Sequence, residues 1–521
     1  MPHDRAIGSV DATTQSASAR AVPALIFLLT ATDFMQSGMT AFGAGPISGE
    51  LSLTPEEFSL VAAIYAAVAI LTISQQRWLI ERFGPRRCVQ ASAILFIVGA
   101  AVCALSGEFI GFLSGRVLMA AGGGGMFTSA RMIIHHCLAG PRRFVGIKCL
   151  AGGLSVSLGA APWLTSIAVA HESWATIYWL SSGMGIAVLI LAGVALPGAP
   201  LLVRAEVPRL SVWRQLLLLA GSLGLLVGMQ RLYYDFYGER AAMLLVIAAS
   251  IAIIALYLNS EYRSRRPLLS LRYILGKRYL TGLAIFMFAY AVLGANNSLI
   301  PQMLQRTLGY GWGTVGHIQA LGFSGAVLVC WILMRRLPGS PAPRKYLIIG
   351  FCALALHGVL LSRLNLDASV WLNVLPALAL NSVFLLTVMP VTAMQTFQET
   401  EHNERLFANA QQLKNMMAQA GIALGIMLAT LGQQRSVALH YSVLTGRVAA
   451  GDPAFQNQLI NIQTSLAPGT DPSQGPQMAL ALIARQVEQQ ASLLSNIDYF
   501  HCIAALALAG CLAICLQRIF R

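Results

Sequence analysis

The chain has 521 residues, of which 56% are hydrophobic and 11% are charged. Soluble globular proteins carry about 25% charged residues, and a single hydrophobic core stops growing at roughly 250–300 residues. The composition therefore excludes an ordinary water-soluble fold, because the surplus apolar surface must face a lipid bilayer. The formal net charge of +14 would suit a nucleic-acid partner. The basic residues, however, recur in short loops and form no single patch, so the charge reflects membrane topology instead.

Long apolar segments follow one another from residue 21 to the end of the chain. A helix needs about 20 mostly apolar residues to cross the hydrocarbon core of a membrane. The first segment is longer than the roughly 7–15 apolar residues of a cleaved signal peptide, so we predict a retained span. We predict an all-α polytopic membrane protein with fourteen spans, near 21–47, 57–77, 88–107, 109–134, 144–170, 174–197, 213–231, 240–258, 279–301, 312–334, 345–363, 370–396, 406–431 and 499–519.

Basic residues concentrate in every second connection between these segments. The connection after the first segment holds glutamates and no lysine or arginine, whereas the one after the second holds four arginines within 77–87. Because basic loops stay on the cytoplasmic side, both termini are predicted to be cytoplasmic, including a polar tail at 1–20. The long polar segment 432–498 is then external, with a turn-rich beginning and an amphipathic helix over 478–494.

A charged turn connects the second and third segments, with the sequence Trp78-Leu-Ile-Glu-Arg-Phe-Gly-Pro-Arg-Arg87. An acid, a glycine and several arginines in one tight turn can form a charge network that latches two helical bundles together. The alternative is a basic loop that only sets the topology. We assign a cytoplasmic gate to this turn, with the residues Glu81, Arg82, Gly84, Arg86 and Arg87.

A weaker echo of this turn, at 335–345, indicates an internal repeat of two six-helix bundles. The seventh and eighth segments are then an insertion between the bundles. The predicted division is an N-terminal bundle at 21–197, two inserted spans within 198–258, and a C-terminal bundle at 259–519 that includes the external segment.

These features resemble the major facilitator superfamily, in particular its fourteen-span drug:proton antiporters of the EmrB/QacA type. The charged turn is similar to the first signature of the superfamily, with Glu81 where Asp is usual and Arg77 where Gly is usual. The stretch Arg116-Val-Leu-Met-Ala is similar to the fourth-span signature, and 301–310 resembles a pattern common in this group. The stretch 483–500 points to EmrB-like members in particular.

The fifth-span signature of antiporters is matched in part. Gly159 and Pro162 fit it, whereas Thr165 and Ser166 stand where paired glycines are expected. The resemblance implies proton-driven export from a Gram-negative inner membrane. It also implies that the external segment meets a periplasmic adaptor protein.

Asp33 is an acid in the middle of the first span. An ionised side chain at that depth costs about 2.5–3.5 kcal/mol, and protonation removes the cost. Arg116 in the fourth span is the candidate cation beside it, and we assign proton coupling to this pair. A proton moving down 100 mV supplies about 2.3 kcal/mol. The alternative is an Asp33–Arg116 pair that only fixes helix packing. The resembled family also has an acid in its first span, which favours the coupling hypothesis.

Other polar side chains inside the spans are candidates for a substrate path, and each could equally make an interhelical hydrogen bond. Lys414 either faces a central cavity or extends towards the cytoplasm. The spacing of the cysteines and of His135-His136 indicates no metal site, no cofactor and no enzyme. The path candidates are Gln36, Tyr65, Asn297, Gln305 and Lys414.

The sequence therefore predicts a proton-coupled secondary transporter that exports lipophilic small molecules or drugs by alternating access. Two alternatives keep the fold: an exporter of one specific metabolite or siderophore, and a proton-coupled importer, which the partial fifth-span signature leaves open. A third alternative is a membrane scaffold or sensor that transports nothing.

Overall fold

Residues 1–11 of the tail predicted at 1–20 lie outside the described residues, whereas residues 12–20 are helical. Positions 451–452 and 467–474 of the predicted external segment and positions 337–341 of the weaker echo also lie outside them. The computed structural model describes residues 12–138, 140–170, 173–198, 210–234, 238, 240–264, 267–336, 342–400, 402–447, 453–466, 475–517 and 519–520.

Helices account for nearly all of these ranges, which contain no β-strand. In lipid every backbone polar group needs an internal partner, and a helix provides one within each segment. Short π-helical turns, Met303–Thr307 and Val370–Val374, follow α12 and precede α15. The helices are α1 (Ala12–Phe42), α2 (Ala44–Glu50), α3 (Pro55–Phe83), α4 (Pro85–Leu105), α5 (Phe109–Gly123), α6 (Met126–Cys137), α7 (Pro141–Ala170), α8 (Ala175–Ala195), α9 (Val212–Tyr234), α10 (Arg240–Arg263), α11 (Leu271–Ile274), α12 (Lys277–Gln302), α13 (Trp312–Arg336), α14 (Pro343–Leu361), α15 (Leu375–Phe397), α16 (Glu404–Arg447), α17 (Pro453–Leu466) and α18 (Gly475–Leu516).

Fourteen helical segments of the described chain are long and apolar enough to cross a membrane, and each corresponds to one predicted span. The prediction of a fourteen-span all-α membrane protein is thereby confirmed. The fourth span consists of α5 and α6 in succession. The helices α2, α11 and α17 lie between spans.

The segment 432–498, predicted to be a loop, is largely helical where it is described. The helix α16 continues past residue 431 to Arg447, and α18 begins at Gly475 rather than near 499. The helix predicted over 478–494 is confirmed as the first part of α18. Hydropathy marks where apolar residues end and cannot mark where a helix ends. These extensions persist because their polar side chains pair, as His440 Nε2 and Asp498 Oδ2 do at 2.7 Å.

The fourth span breaks at a run of glycines. Between α5 and α6 the helix stops at Gly124 and restarts after Gly125. A Cβ on Gly124 would lie 2.8 Å from the Cβ of Ala69, and one on Gly122 would lie 2.4 Å from the carbonyl oxygen of Ser92. The run therefore lets this span approach α3 and α4 closely, and the break frees the first N–H groups of α6.

The helices form two halves and an inserted pair. The first half comprises α1–α8 and the second half α11–α18; α9 and α10 pack on each other between them. The helix α9 runs antiparallel to α3, with Ser59 bonded to Gln230 and Ser74 bonded to Gln215. It also touches α16, so it contacts both halves.

Two main contact regions join the halves, and α1 also touches α12. We call the end of the bundle that carries the α3–α4 turn the basic end, and the end that carries α2 the far end. The basic-end seam is formed by α3 and α6 against α16, and the far-end seam by α7 against α13.

Candidate functional site

Asp33 lies on the most accessible face of α1. Asp33 is half-buried and Ser37 and Ala41, one and two turns further along, are exposed, whereas Met35, Gln36 and Met39 are buried. Residues spaced four apart share one face of a helix. Asp33 therefore lies on an accessible stripe of a helix that otherwise packs against its neighbours.

The break in the fourth span supplies a partner for Asp33. The backbone N–H of Phe127, in the first turn of α6, donates to Asp33 Oδ2 at 3.4 Å. Helix N-termini carry free N–H groups and a positive partial charge, which favour a carboxylate. The break at the glycine run thus places an uncharged N–H donor beside Asp33, the candidate proton carrier.

Arg116 does not form the expected pair with Asp33. Its guanidinium Nη1 donates to Gln36 Oε1 at 3.0 Å and to Thr40 Oγ1 at 3.3 Å, and its Cζ lies 4.2 Å from the ring centre of Tyr65. Gln36 and Thr40 follow Asp33 by one and two helical turns, so the register of α5 on α1 places Arg116 nearer the far end. The predicted Asp33–Arg116 pair is therefore wrong. Which residues pair depends on how α5 is aligned along α1, and hydropathy does not reveal that alignment.

Gln36 and Tyr65 connect the two predicted coupling residues. Gln36 Nε2 donates to the Tyr65 hydroxyl at 2.5 Å, and its Oε1 accepts from Arg116. The charges of both Asp33 and Arg116 act on Tyr65. These two path candidates therefore lie between Asp33 and Arg116, within the first half.

Lys414 is the cation whose charge acts on Asp33, and it belongs to the second half. It is 2% exposed on α16, and its ammonium lies 3.3 Å from the Tyr290 hydroxyl. The ring centres of Phe127, Phe286 and Tyr290 surround it at 4.9, 5.3 and 5.5 Å. Of the two predicted placements, the structure shows Lys414 in the interior and not extended towards an end of the helix bundle. The sequence identified Lys414 but not its link to Asp33.

The residues of the predicted gate turn differ in their burial and in the contacts they make. Glu81 is buried and pairs with Arg77, whose Nε lies 2.6 Å from its Oε1. Gly84 joins α3 to α4 with a φ of 87°, a left-handed conformation that favours glycine. Arg82 stacks on Trp78 at 5.1 Å, while Arg86 and Arg87 are exposed.

Contacts across the basic-end seam come from Arg77 and from polar residues of α16, none of which the sequence analysis assigned to the gate. Arg77 Nη1 donates to Asn409 Oδ1 at 2.5 Å. Gln412 Nε2 donates to the carbonyl oxygens of Ile73 and Ser74, and Asn415 donates to Thr128 Oγ1 at 2.8 Å. Polar residues within the apolar thirteenth span were the signal that could have found this seam.

Gly159 and Pro162 of the fifth span lie at the far-end seam. A Cβ on Gly159 would lie 3.4 Å from the Cβ of Phe323. A Cβ on Gly316 of α13 would lie 2.4 Å from the Cβ of Ser166 and 2.9 Å from the carbonyl oxygen of Pro162. These residues therefore sit where small side chains let α7 and α13 meet.

The remaining path candidates lie on the second half. Asn297 is half-buried on α12, and Gln305 is half-buried in the π-helical turn that follows it. Neighbouring Asn296 belongs to a buried polar cluster instead, bonded to Asn381 at 3.0 Å and to Tyr499 at 2.7 Å, with His357 beside it. In the described ranges, no three His, Cys, Asp or Glu side chains are grouped so as to hold a metal.

Comparisons with known proteins agree with this architecture. Residues 26–426 match the family model of the Major Facilitator Superfamily. The chain is 21% identical to the probable multidrug resistance protein EmrY of Escherichia coli (strain K12), over 82% of this chain and 83% of that protein. It is 22% identical to the uncharacterized MFS-type transporter YhcA of Bacillus subtilis (strain 168), over 83% of this chain and 80% of that protein.

Solved structures resemble the chain over nearly its full length. A crystal structure of the peptide transporter POT in complex with sulfate superimposes with a TM-score of 0.58 at 14% identity, over 97% of this chain and 99% of that one. The human organic anion transporter MFSD10 gives a TM-score of 0.57 at 13% identity, over 95% and 99%. At these identities the likeness shows the fold alone.

Proposed function

The chain belongs to the Major Facilitator Superfamily, whose members are transporters and not enzymes, and we propose that it is a proton-coupled exporter of lipophilic small molecules. The observation that carries the proposal is the position of Asp33. It is an accessible acid inside a membrane helix, held by an N–H group of its own half and acted on by a cation of the other half.

Protonation of Asp33 changes the attraction between the halves. Ionised, its carboxylate attracts Lys414 of α16 and accepts from Phe127. Protonated, it loses the attraction to Lys414, so the halves are free to separate around it. A proton taken up on one side of the membrane and released on the other can therefore drive alternating access, since each proton supplies about 2.3 kcal/mol per 100 mV. Arg116 acts on this equilibrium through Gln36 and Tyr65 rather than by direct pairing.

The seam at the basic end supplies the gate in this proposal. Arg77, Asn409, Gln412 and Asn415 hold α16 against the first half, and hydrogen bonds of this kind can be exchanged for bonds to water when the seam opens. The basic end is cytoplasmic by the distribution of arginines, with both chain termini on that side. This structure is then closed to the cytoplasm.

Export of drugs is supported by the names of relatives, such as the multidrug resistance protein EmrY, at low identity. The proposed location is the inner membrane of a bacterium. The helical extensions of α16 and α18 and the helix α17 project beyond the spans, and they form the proposed surface for a periplasmic adaptor protein.

The test is proton movement across the membrane of proteoliposomes that contain the purified full-length protein. Lipophilic compounds are added outside, and internal pH is followed with a trapped dye for the wild type and Asp33→Asn. We expect substrate-driven proton movement in the wild type and its loss in Asp33→Asn, because an amide cannot exchange a proton. The matched control is Asp367→Asn, which alters an exposed carboxylate in the turn after α14 and should leave proton movement unchanged.

Four outcomes count against parts of the proposal. Proton movement that survives in Asp33→Asn moves the coupling site elsewhere. Accumulation of the compound with the proton gradient makes the protein an importer, and response to one compound alone makes it a specific exporter. Silence of the wild type with every compound favours a scaffold or sensor.

A further inference from the structure

Charges in the interior between the two halves do not balance. In the described part of the chain, Arg131 and Lys414 contribute positive charges there, and Asp33 contributes a single negative one. Arg77 is offset by Glu81. Charges within membrane spans are costly, and those that persist mark substrate or ion pathways. The interior therefore carries a surplus of positive charge that a bound anion would offset.

The two cations lie on opposite sides of the basic-end seam. Arg131 belongs to α6 in the first half, and Lys414 belongs to α16 in the second half. Both lie over the ring of Phe127, with Arg131 Cζ 5.8 Å and Lys414 Nζ 4.9 Å from its centre, and their charges have the same sign. Two like charges at a contact between halves repel each other unless something negative lies between them. Asp33 carries one negative charge against these two positive ones, so it offsets this repulsion only in part.

Unpaired polar atoms accompany the two cations. Gln411, one helical turn before Lys414, is 1% exposed, and neither its amide nitrogen nor its amide oxygen has a hydrogen-bond partner. The Nε of Arg131 is buried and is also without a partner. Arg131 and Gln411 line one small cavity between α6 and α16. Buried polar groups in folded proteins are nearly always hydrogen-bonded, so these atoms indicate a missing ligand.

We propose that Arg131, Gln411 and Lys414 bind the carboxylate of an aromatic organic anion, and that such anions are the substrate class of the transporter. The inference rests on the proposed transport function and specifies its substrate. A guanidinium, an ammonium and an amide N–H group are donors that suit a carboxylate, and charged donors form its strongest hydrogen bonds. The same donors repel or fail to satisfy a lipophilic cation.

The aromatic side chains around Lys414 suit the body of such a molecule. Phe127 comes from the first half, and Phe286 and Tyr290 come from the second. Aromatic rings pack favourably against other rings in offset or edge-on arrangements. The cavity is small in this closed conformation, so the aromatic body is accommodated as the α6–α16 contact separates. Binding then coincides with the opening step of alternating access.

The experiment compares three probes of the same shape and different charge: 2-naphthoate, 2-naphthamide and 2-naphthylmethylammonium. Each is titrated into the purified full-length protein in detergent, and heat of binding is measured. We expect naphthoate to bind the wild type at least tenfold more tightly than the amide, and the ammonium to bind more weakly than the amide.

Variants of Lys414 assign the preference to the site. Lys414→Met should remove the preference for naphthoate over the amide, and Lys414→Arg should retain it. The matched control is Lys148→Met, because Lys148 also lies over a phenyl ring, 4.7 Å from the centre of Phe144, but is exposed on α7. That control should bind all three probes as the wild type does.

Wild-type protein that shows no preference for naphthoate over naphthamide overturns the proposal, and this comparison needs no variant to fold. A preference that survives in Lys414→Met also overturns it. Proton movement driven by the ammonium but not by naphthoate leaves the exporter intact and removes the anion class. Selective naphthoate binding without any proton movement supports the site and counts against proton-coupled export.

Discussion

The two seams between the halves are built from different chemistry. At the basic end, Arg77, Asn409 and Gln412 join α3 to α16 through side-chain hydrogen bonds. At the far end, α7 and α13 meet through small residues, with Gly316 against Ser166. Phe42 and Trp312 add an edge-on ring contact there, 5.5 Å between ring centres.

This difference indicates which seam opens at the lower free-energy cost. Hydrogen bonds at the basic end can be replaced by bonds to water, so their net contribution is about 1 kcal/mol each. Close packing at the far end has no such substitute, because separating the helices opens a gap that only lipid or side chains can fill. We therefore expect substitutions at the basic end to shift the conformation and substitutions at the far end to lower stability. The buried ion pair at the basic end is the exception.

The largest effect is expected for Arg77→Gln. This change leaves Glu81 as a buried charge without its cation, and breaking a buried pair from one side costs about 3–5 kcal/mol. The apparent melting temperature of the purified protein should fall markedly. The double variant Arg77→Gln/Glu81→Gln should recover much of the loss, and Arg82→Gln, an exposed arginine of the same turn, should have little effect. Equal losses in the single and double variants would contradict this account.

A smaller loss of stability is expected for Gly316→Ala. The added Cβ would lie 2.4 Å from the Cβ of Ser166 and 2.9 Å from a backbone oxygen, so α7 and α13 must move apart. Overpacking of this kind costs about 1–3 kcal/mol. Gly313→Ala is the control, since a Cβ there meets nothing within 4 Å. Melting temperatures that fall equally in both variants would mean that the far-end seam is not closely packed.

The smallest effect on stability, and a shift in conformation, is expected for Gln412→Leu. Gln412 donates to two carbonyl oxygens of α3, while its own Oε1 is unpaired, so leucine removes the link without leaving a new unpaired group on α16. Cys88, buried beside Ala408 in the basic-end seam, should react with a maleimide about tenfold faster, as the loss of about 1.4 kcal/mol implies.

The control for that experiment is Cys103, which is buried inside the first half and away from the seam. Its labelling, followed separately by mass spectrometry, should not change. Faster labelling of both cysteines would indicate general unfolding, and no change at Cys88 would show that Gln412 does not hold the seam closed.

The fourteen spans were predictable because residues that face lipid must be apolar. Apolar length alone located each crossing. The same signal missed the ends of α16 and α18, since these helices continue where the apolar residues stop. Side-chain pairs beyond the membrane, such as His440 with Asp498, depend on distant parts of the chain that hydropathy does not compare.

At the candidate site, the sequence identified Asp33 and Lys414 because a charge within an apolar run stands out. It paired Asp33 with Arg116 instead of Lys414, because the choice depends on helix register and on which helices adjoin across the two halves. Gln411 and Gln412 carry no charge and gave no comparable signal. Their importance comes from the partners they have or lack in the folded chain.

The antiparallel contact of α9 along α3 has a consequence for molecules dissolved in the bilayer. Because α9 also touches α16, it covers the groove between α3 and α16 on the side that would otherwise face lipid. Acyl chains and lipophilic compounds are thereby kept from sliding sideways into that groove. The inserted pair therefore acts as a lateral barrier on the α3–α16 side of the bundle.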